Sequence, residues 1–178
     1  MELIHRKVPR EFLEVLPDGM KFIHKHGKEY LVVEELLCPN GHSLMSPSVR
    51  IHDEPSIRID VRRPSGVGKV FIDAFWGSHA KLFDFMTVGD ESIAHAEALC
   101  PQCGASLLVD RQCGRIGCDS AKSILFRLPG DDDRIYVCAR MGCPDHSIVV
   151  GGVPQSVAEA VSEINFFGHG EDEMFKGI

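Results

Sequence analysis

From residue 57 to 72 apolar and charged residues alternate as they would in a half-buried strand: Ile57, Ile59 and Val61 interleave with Arg58, Asp60 and Arg62. After Pro64-Ser65-Gly66-Val67-Gly68 the alternation resumes, with Val70 and Ile72 set against Lys69 and Asp73, so a hairpin is predicted within a β-rich region running from 49 to 86. Shorter runs rich in Phe, Ile, Tyr and Val predict strands at 20–24 and 29–37, joined around His26-Gly27. Others are predicted at 105–109, at 123–128 and 134–138 around Pro129-Gly130-Asp131-Asp132-Asp133, and at 147–150. Helical spacing is confined to two stretches. Phe12, Val15 and Leu16 share one face of a short helix over 9–16, ended by Pro17-Asp18-Gly19. Val157, Val161 and Ile164 line one face of a helix over 154–165, with Glu159 and Glu163 on another. Residues 92–99 read as a short helix or an irregular approach to Cys100. The fold class expected is mainly β (α+β), with antiparallel hairpins and a C-terminal helix docked on a sheet.

Composition narrows the class without naming a task. The 178 residues are enough for one domain or two small ones, with an ordinary apolar fraction. No apolar run approaches a membrane span and the first residues lack a signal-peptide pattern, so a cytoplasmic protein is expected. The net charge of −7 argues against a chain devoted to coating nucleic acid, which needs a basic stripe to displace counterions. Part of that charge lies in Glu171, Asp172 and Glu173, expected to be a solvated tail.

The cysteines change the picture most. Seven is an odd number, so a fully paired disulfide framework is impossible, and metal ligation is the better reading. Cys100 and Cys103 form a C-x2-C turn in which Pro101 and Gly104 fix the backbone path. Cys38-Pro-Asn-Gly-His42 is a second turn, flanked by a thiolate and an imidazole. Cys113/Cys118 and Cys138/Cys143 are two wider pairs that resemble one another, each with a glycine before its second cysteine. Seven thiolates and His42 make eight ligands, enough for two four-coordinate sites. The partition expected is Cys38, His42, Cys100 and Cys103 for one, and Cys113, Cys118, Cys138 and Cys143 for the other. His146, in Cys143-Pro-Asp-His146, is the reserve ligand.

Cys100-Pro-Gln-Cys103-Gly104, and more loosely the other three turns, resembles the zinc-ribbon class, in which two cysteine-bearing turns on β-hairpins clamp one zinc. That resemblance covers the ligand turns only. It implies two zinc ions per chain, although four thiolates at the second site also suit iron, as in rubredoxin-like electron carriers. Two departures stand out: a long β insertion divides the first site, and the second uses four-residue spacers where two-residue ones are commoner. The organisation expected is a β domain over 1–103 closed by the first site, a ribbon-like hairpin module over 104–150, and a C-terminal helix and acidic tail over 151–178. Filled sites of this kind stabilise structure, so the function expected is a binding or accessory role with another protein as partner. A zinc-dependent hydrolase, which would need one site with an open position, and a nucleic-acid-binding ribbon are the other readings.

The remaining motifs carry less. Gly66-Val-Gly-Lys69 lacks the spacing and the following helix of a phosphate loop. The three aspartates at 131–133 lack the alternating ligands of a calcium loop and read as a solvated hairpin tip. His24 and His26 read as bystanders beside a turn. Phe75-Trp-Gly-Ser-His-Ala-Lys81 could line a ligand pocket; the plainer expectation is that Phe75 and Phe83 are core, Trp76 covers an edge, and Ser78 and His79 are solvated. Cys100-Pro-Gln-Cys103 also has the spacing of a thioredoxin-like redox turn, but a strand follows it where that chemistry needs a helix.

Overall fold

The computed structural model describes residues 7–25, 27–64, 66–84, 97–130, 132–140 and 142–164. Helix α1 (Arg10–Glu14) buries Phe12 completely. It is shorter than its apolar spacing suggests, because Pro17 disfavours helical backbone at the residue before it. Val15 therefore leaves the helix at φ −122° and is exposed, while Leu16 packs on the core. Strands β1 (Met20–Lys25) and β2 (Lys28–Val33) form the expected hairpin. The second strand stops at Val33, four residues early, because the next two N–H groups, of Glu34 and Glu35, both turn back to the Gly19 carbonyl. Gly19 has φ +91°, and a Cβ there would sit 2.6 Å from Pro129 Cδ and 2.8 Å from the Glu35 carbonyl. This return delivers the chain to Leu37, which exchanges backbone hydrogen bonds with Arg127.

Strands β3 (Met45–Ile51), β4 (Glu54–Arg63), β5 (Gly66–Ile72), β6 (Lys81–Phe83) and β7 (Glu97–Leu99) form one antiparallel sheet. At its centre is β4, whose Ile57, Ile59 and Val61 are buried as the alternation predicts. One edge of β4 pairs with β5, from Ile57↔Ile72 to Arg63↔Gly66. The other edge is shared, β3 occupying its first half and β7 its second. Residues 97–99 are thus strand rather than helix or irregular chain; 92–96 lie outside the described residues.

The second large sheet is an antiparallel meander of β8 (Leu108–Asp110), β9 (Lys122–Arg127), β10 (Arg134–Cys138) and β11 (His146–Val149). Helix α2 (Gln155–Ser162) packs on β11. Pro154 precedes its first turn with its φ already set, Ala158 and Val161 are buried, and Glu159 and Glu163 face solvent. Ile164 lies past the helix yet is buried, and Asn165 is outside the described residues. One continuous core unites the hairpin, the two sheets and both helices, with Phe12, Val32, Ile59, Phe126, Ile135 and Val161 all within it. Among the described residues no helix is long and apolar enough to cross a membrane.

The loop between β5 and β6 departs from its plainer expectation. Trp76 and Ser78 are buried and His79 is half-buried. Conversely Phe83, expected in the core, is 38% exposed on the short strand β6. Asp73 explains the inversion: its wholly buried carboxylate accepts hydrogen bonds from the Phe75 N–H (3.1 Å), the Ser78 hydroxyl (2.6 Å) and the His52 ring (2.7 Å). The loop folds around that acceptor instead of extending into solvent.

Candidate metal centres

The shared edge of β4 brings the halves of the first group together. Met45, where β3 begins, pairs with Ile57, and Leu99, where β7 ends, pairs with Asp60. Three residues along a strand is about 10 Å. The turn before Met45 and the turn after Leu99 therefore leave the sheet side by side, although the cysteines they carry lie far apart in sequence. Each turn closes on itself. The Cys38 N–H donates to the His42 carbonyl at 2.9 Å and the Gly41 N–H to the Cys38 carbonyl at 2.9 Å. Likewise the Cys100 N–H donates to the Ala105 carbonyl at 2.9 Å and the Gly104 N–H to the Cys100 carbonyl at 2.9 Å. Gly41 and Gly104 take φ +85° and +71°, which their turns require.

The second group follows from the meander. In four consecutive antiparallel strands the first and third turns lie at the same end of the sheet. The β8–β9 turn carries Cys113 and Cys118, and the β10–β11 turn carries Cys138 and Cys143. Their hydrogen bonds repeat. The Cys113 N–H reaches the Ser120 carbonyl at 2.9 Å and the Cys138 N–H the Asp145 carbonyl at 3.0 Å, seven residues on in both cases. The Cys118 and Cys143 N–H groups each reach back three residues, to the Arg115 and Arg140 carbonyls, at 3.1 Å. Gly117 and Gly142 hold matching φ values of +88° and +95°. The resemblance between the two half-sites is therefore one of backbone as well as of sequence.

Two groups result, Cys38/His42/Cys100/Cys103 and Cys113/Cys118/Cys138/Cys143, the donor atoms of each lying within 4.8 Å of one another. All seven cysteines are free. The spacing fits an ion: four sulfurs at about 2.3 Å from a tetrahedral centre lie about 3.8 Å apart, and sulfur to nitrogen about 3.5 Å. Cys113 to Cys143 and Cys118 to Cys138 are both 3.7 Å, Cys38 to Cys103 is 3.9 Å, and Cys38 to His42 Nδ1 is 3.5 Å. Both groups could hold a metal ion, the first through three thiolates and His42 Nδ1, the second through four thiolates.

Charge on the sulfurs is managed by backbone N–H groups and by burial. The Ala105 N–H, joined by the Asn40 side chain, lowers the Cys103 thiol to about 6. Burial works against the Cys38 thiolate, but the His42 and Asn40 N–H groups outweigh it and the thiol is lowered. His42 is raised chiefly by its bond to Cys38. Burial raises Cys100, Cys113 and Cys138, whereas the Ser120 N–H lowers Cys118. Each group thus combines sulfurs that readily ionise with sulfurs that an ion would have to deprotonate.

His146, the reserve ligand, joins neither group. Its ring nitrogens lie 2.9 Å from the Pro144 carbonyl and 2.6 Å from the Ile164 carbonyl. His24 pairs at 3.3 Å with Glu29, and His26 is outside the described residues. Of the three aspartates, Asp131 is outside the described residues and Asp133 accepts the Gly151 N–H at 2.9 Å. Sequence reasoning missed two residues that touch the sulfurs. Asn40 donates its N–H to Cys38 and its amide Nδ2 to Cys103, a role the Asn-Gly of that turn signals only as turn chemistry. Asp145 lies 3.5 Å from the Cys113 sulfur and accepts the Gly114 N–H at 3.4 Å. No protein-family model, curated protein or solved structure matches the chain.

Proposed function

We propose that the chain is a zinc-binding protein of zinc-ribbon-like build, in which two structural zinc sites hold a β scaffold for a protein-interaction or accessory-subunit role in the cytoplasm. The observation that carries the reading is the gathering of seven sulfurs and one imidazole nitrogen into two groups of four, spaced like the edges of a zinc tetrahedron. Four protein donors in each group fill a tetrahedral shell, which favours a structural over a hydrolytic role. Free thiols throughout accord with a reducing compartment. The net charge of −7 favours a protein partner over nucleic acid. Large apolar side chains left on the surface, Val67, Leu82, Phe83 and Ile116, offer such a partner contact area.

A second reading is an iron-bearing, rubredoxin-like electron carrier at the four-thiolate group. It is favoured by a specific observation: Arg115 and Ser120 N–H groups are directed at Cys113 and Cys118, as suits a delocalised iron–thiolate charge. Elemental analysis of protein purified without added metal separates the two. Two zinc ions and no iron per chain is the expected result. One iron per chain, with visible colour and a reversible redox wave, supports the second reading, and a folded chain holding neither metal overturns both.

A further inference from the structure

Between the two large sheets lies a cavity of about 70 Å³ that neither metal group uses. Ile57 and Ile72 wall it from one sheet and Ile124, Ile135 and Val137 from the other. The 73–79 loop closes it on one side, and Cys138 and Cys143 border it on another. The loop is built rather than loose. Beyond its three bonds to buried Asp73, it is closed by the Asp73 N–H on the Ala80 carbonyl at 3.1 Å and anchored by Trp76 Nε1 on the Val161 carbonyl at 2.8 Å. A loop so fixed holds its lining groups in place before any ligand arrives, which lowers the entropic cost of binding.

The polar part of the lining is divided by charge. Its carboxylates are occupied within the protein, Asp73 by Phe75, Ser78 and His52, and Asp145 by the Gly114 N–H. Its cations are Lys81, on β6, and Arg140, between two cysteines of the second group. Apolar walls with cationic groups among the lining suit a ligand with a short hydrocarbon body and one anionic head. A phosphate has no such body. The volume is about half that of a core cavity that takes up benzene, so it suits a body of about two to four carbons.

We propose that this cavity binds a small aliphatic monocarboxylate, its chain against the isoleucines and its head toward Lys81 and Arg140. Trp76 lines the cavity and is the sole tryptophan, so its emission reports occupancy directly. The test titrates the metal-loaded full chain, at constant ionic strength, with acetate, propionate, butyrate, hexanoate, butyramide and inorganic phosphate. Propionate or butyrate is expected to give a saturable change, with hexanoate, butyramide and phosphate at least about 10-fold weaker. Lys81→Gln should weaken the best acid about 10-fold with metal content and circular dichroism unchanged. Should the indole prove insensitive, the backbone amide resonances of Gly77 and Ser78 read the same binding. No saturable response by either readout, equal binding of butyramide and butyrate, or undiminished binding in Lys81→Gln combined with Arg140→Gln would overturn the proposal.

Discussion

The rings of Trp76 and His146 meet edge to face with centroids 4.8 Å apart, and each reaches a different carbonyl at the end of α2. The indole N–H donates to Val161 and the His146 Nε2 lies against Ile164, so two residues from different sheets hold the terminus of one helix. A helix end leaves carbonyls without intrahelical partners, and buried ones must find a donor elsewhere. Here side chains 85 and 18 residues away in sequence provide the contacts.

Removing the indole donor tests that role. Trp76→Phe keeps an aromatic ring in the core but leaves the Val161 carbonyl without its partner, which is expected to cost about 1–3 kcal/mol. Urea denaturation followed by circular dichroism reads the change. A loss within error of zero would mean that water or a neighbour replaces the donor.

His146 gives the docking of α2 a pH dependence. Burial lowers its pKa, against the pull of the Pro144 and Ile164 carbonyls and of Asp145. Above the ordinary histidine value of about 6.5, the ring is neutral in both folded and unfolded chains and its contribution is complete. Below that value the unfolded chain takes up the proton first, so stability falls as pH drops toward the lowered folded value. The urea midpoint should decline between pH 7.5 and 6.0 at unchanged metal content. His146→Gln should flatten the decline, and an equal slope in the variant would assign it to other groups.

Metal removal should act unevenly on the two groups. Cys138 is buried at the end of β10, while Cys103 is exposed at the tip of its turn. With structural zinc contributing about 10–16 kcal/mol to such modules, loss of an ion outweighs the whole stability of a small domain. Cys138→Ser is expected to lose one metal and the protection of the β8–β11 amides against hydrogen exchange. Cys103→Ser should retain the second ion and that protection. Metal counting together with hydrogen exchange separates the outcomes.

The turn between β3 and β4 is a place to gain stability. His52 and Asp53 sit there at φ +50° and +67°, backbone that side-chain-bearing residues adopt at a cost of roughly 1 kcal/mol each. Asp53 holds Arg50 through its backbone carbonyl, at 2.9 and 3.2 Å, so glycine would keep that contact. Asp53→Gly is expected to raise stability by about 0.5–1 kcal/mol, measured by thermal or urea unfolding. Unchanged or lower stability would show that the Asp53 side chain contributes more than the strain it carries.

Much of the site is legible in the amino-acid sequence. Cysteine spacing and the leftover count pick out the eight donors that the fold gathers into two groups, because a turn that aims two sulfurs at one point needs glycine, proline or asparagine at set positions. The period-2 alternation of Ile57, Ile59 and Val61 marks the central strand, since a one-residue slip would turn that face to solvent. The interior of the β5–β6 loop is not legible in the same way. Ser78 and Trp76 look like surface chemistry in a row of letters, and only the buried carboxylate of Asp73, five residues before Ser78, draws them inside.

Local order, then, was determined by the chain's own lettering: which residues turn, which alternate, and which side chains are donors for an ion. Proximity was decided by the tertiary structure. Cys38 and Cys103 are 65 residues apart and meet only because β3 and β7 divide one edge of β4, and His146 serves a helix end rather than an ion because α2 returns to β11. Hydrogen-bond partners across a sheet depend on register between distant segments, and that register is set by the shared burial of apolar faces, which no local stretch encodes alone.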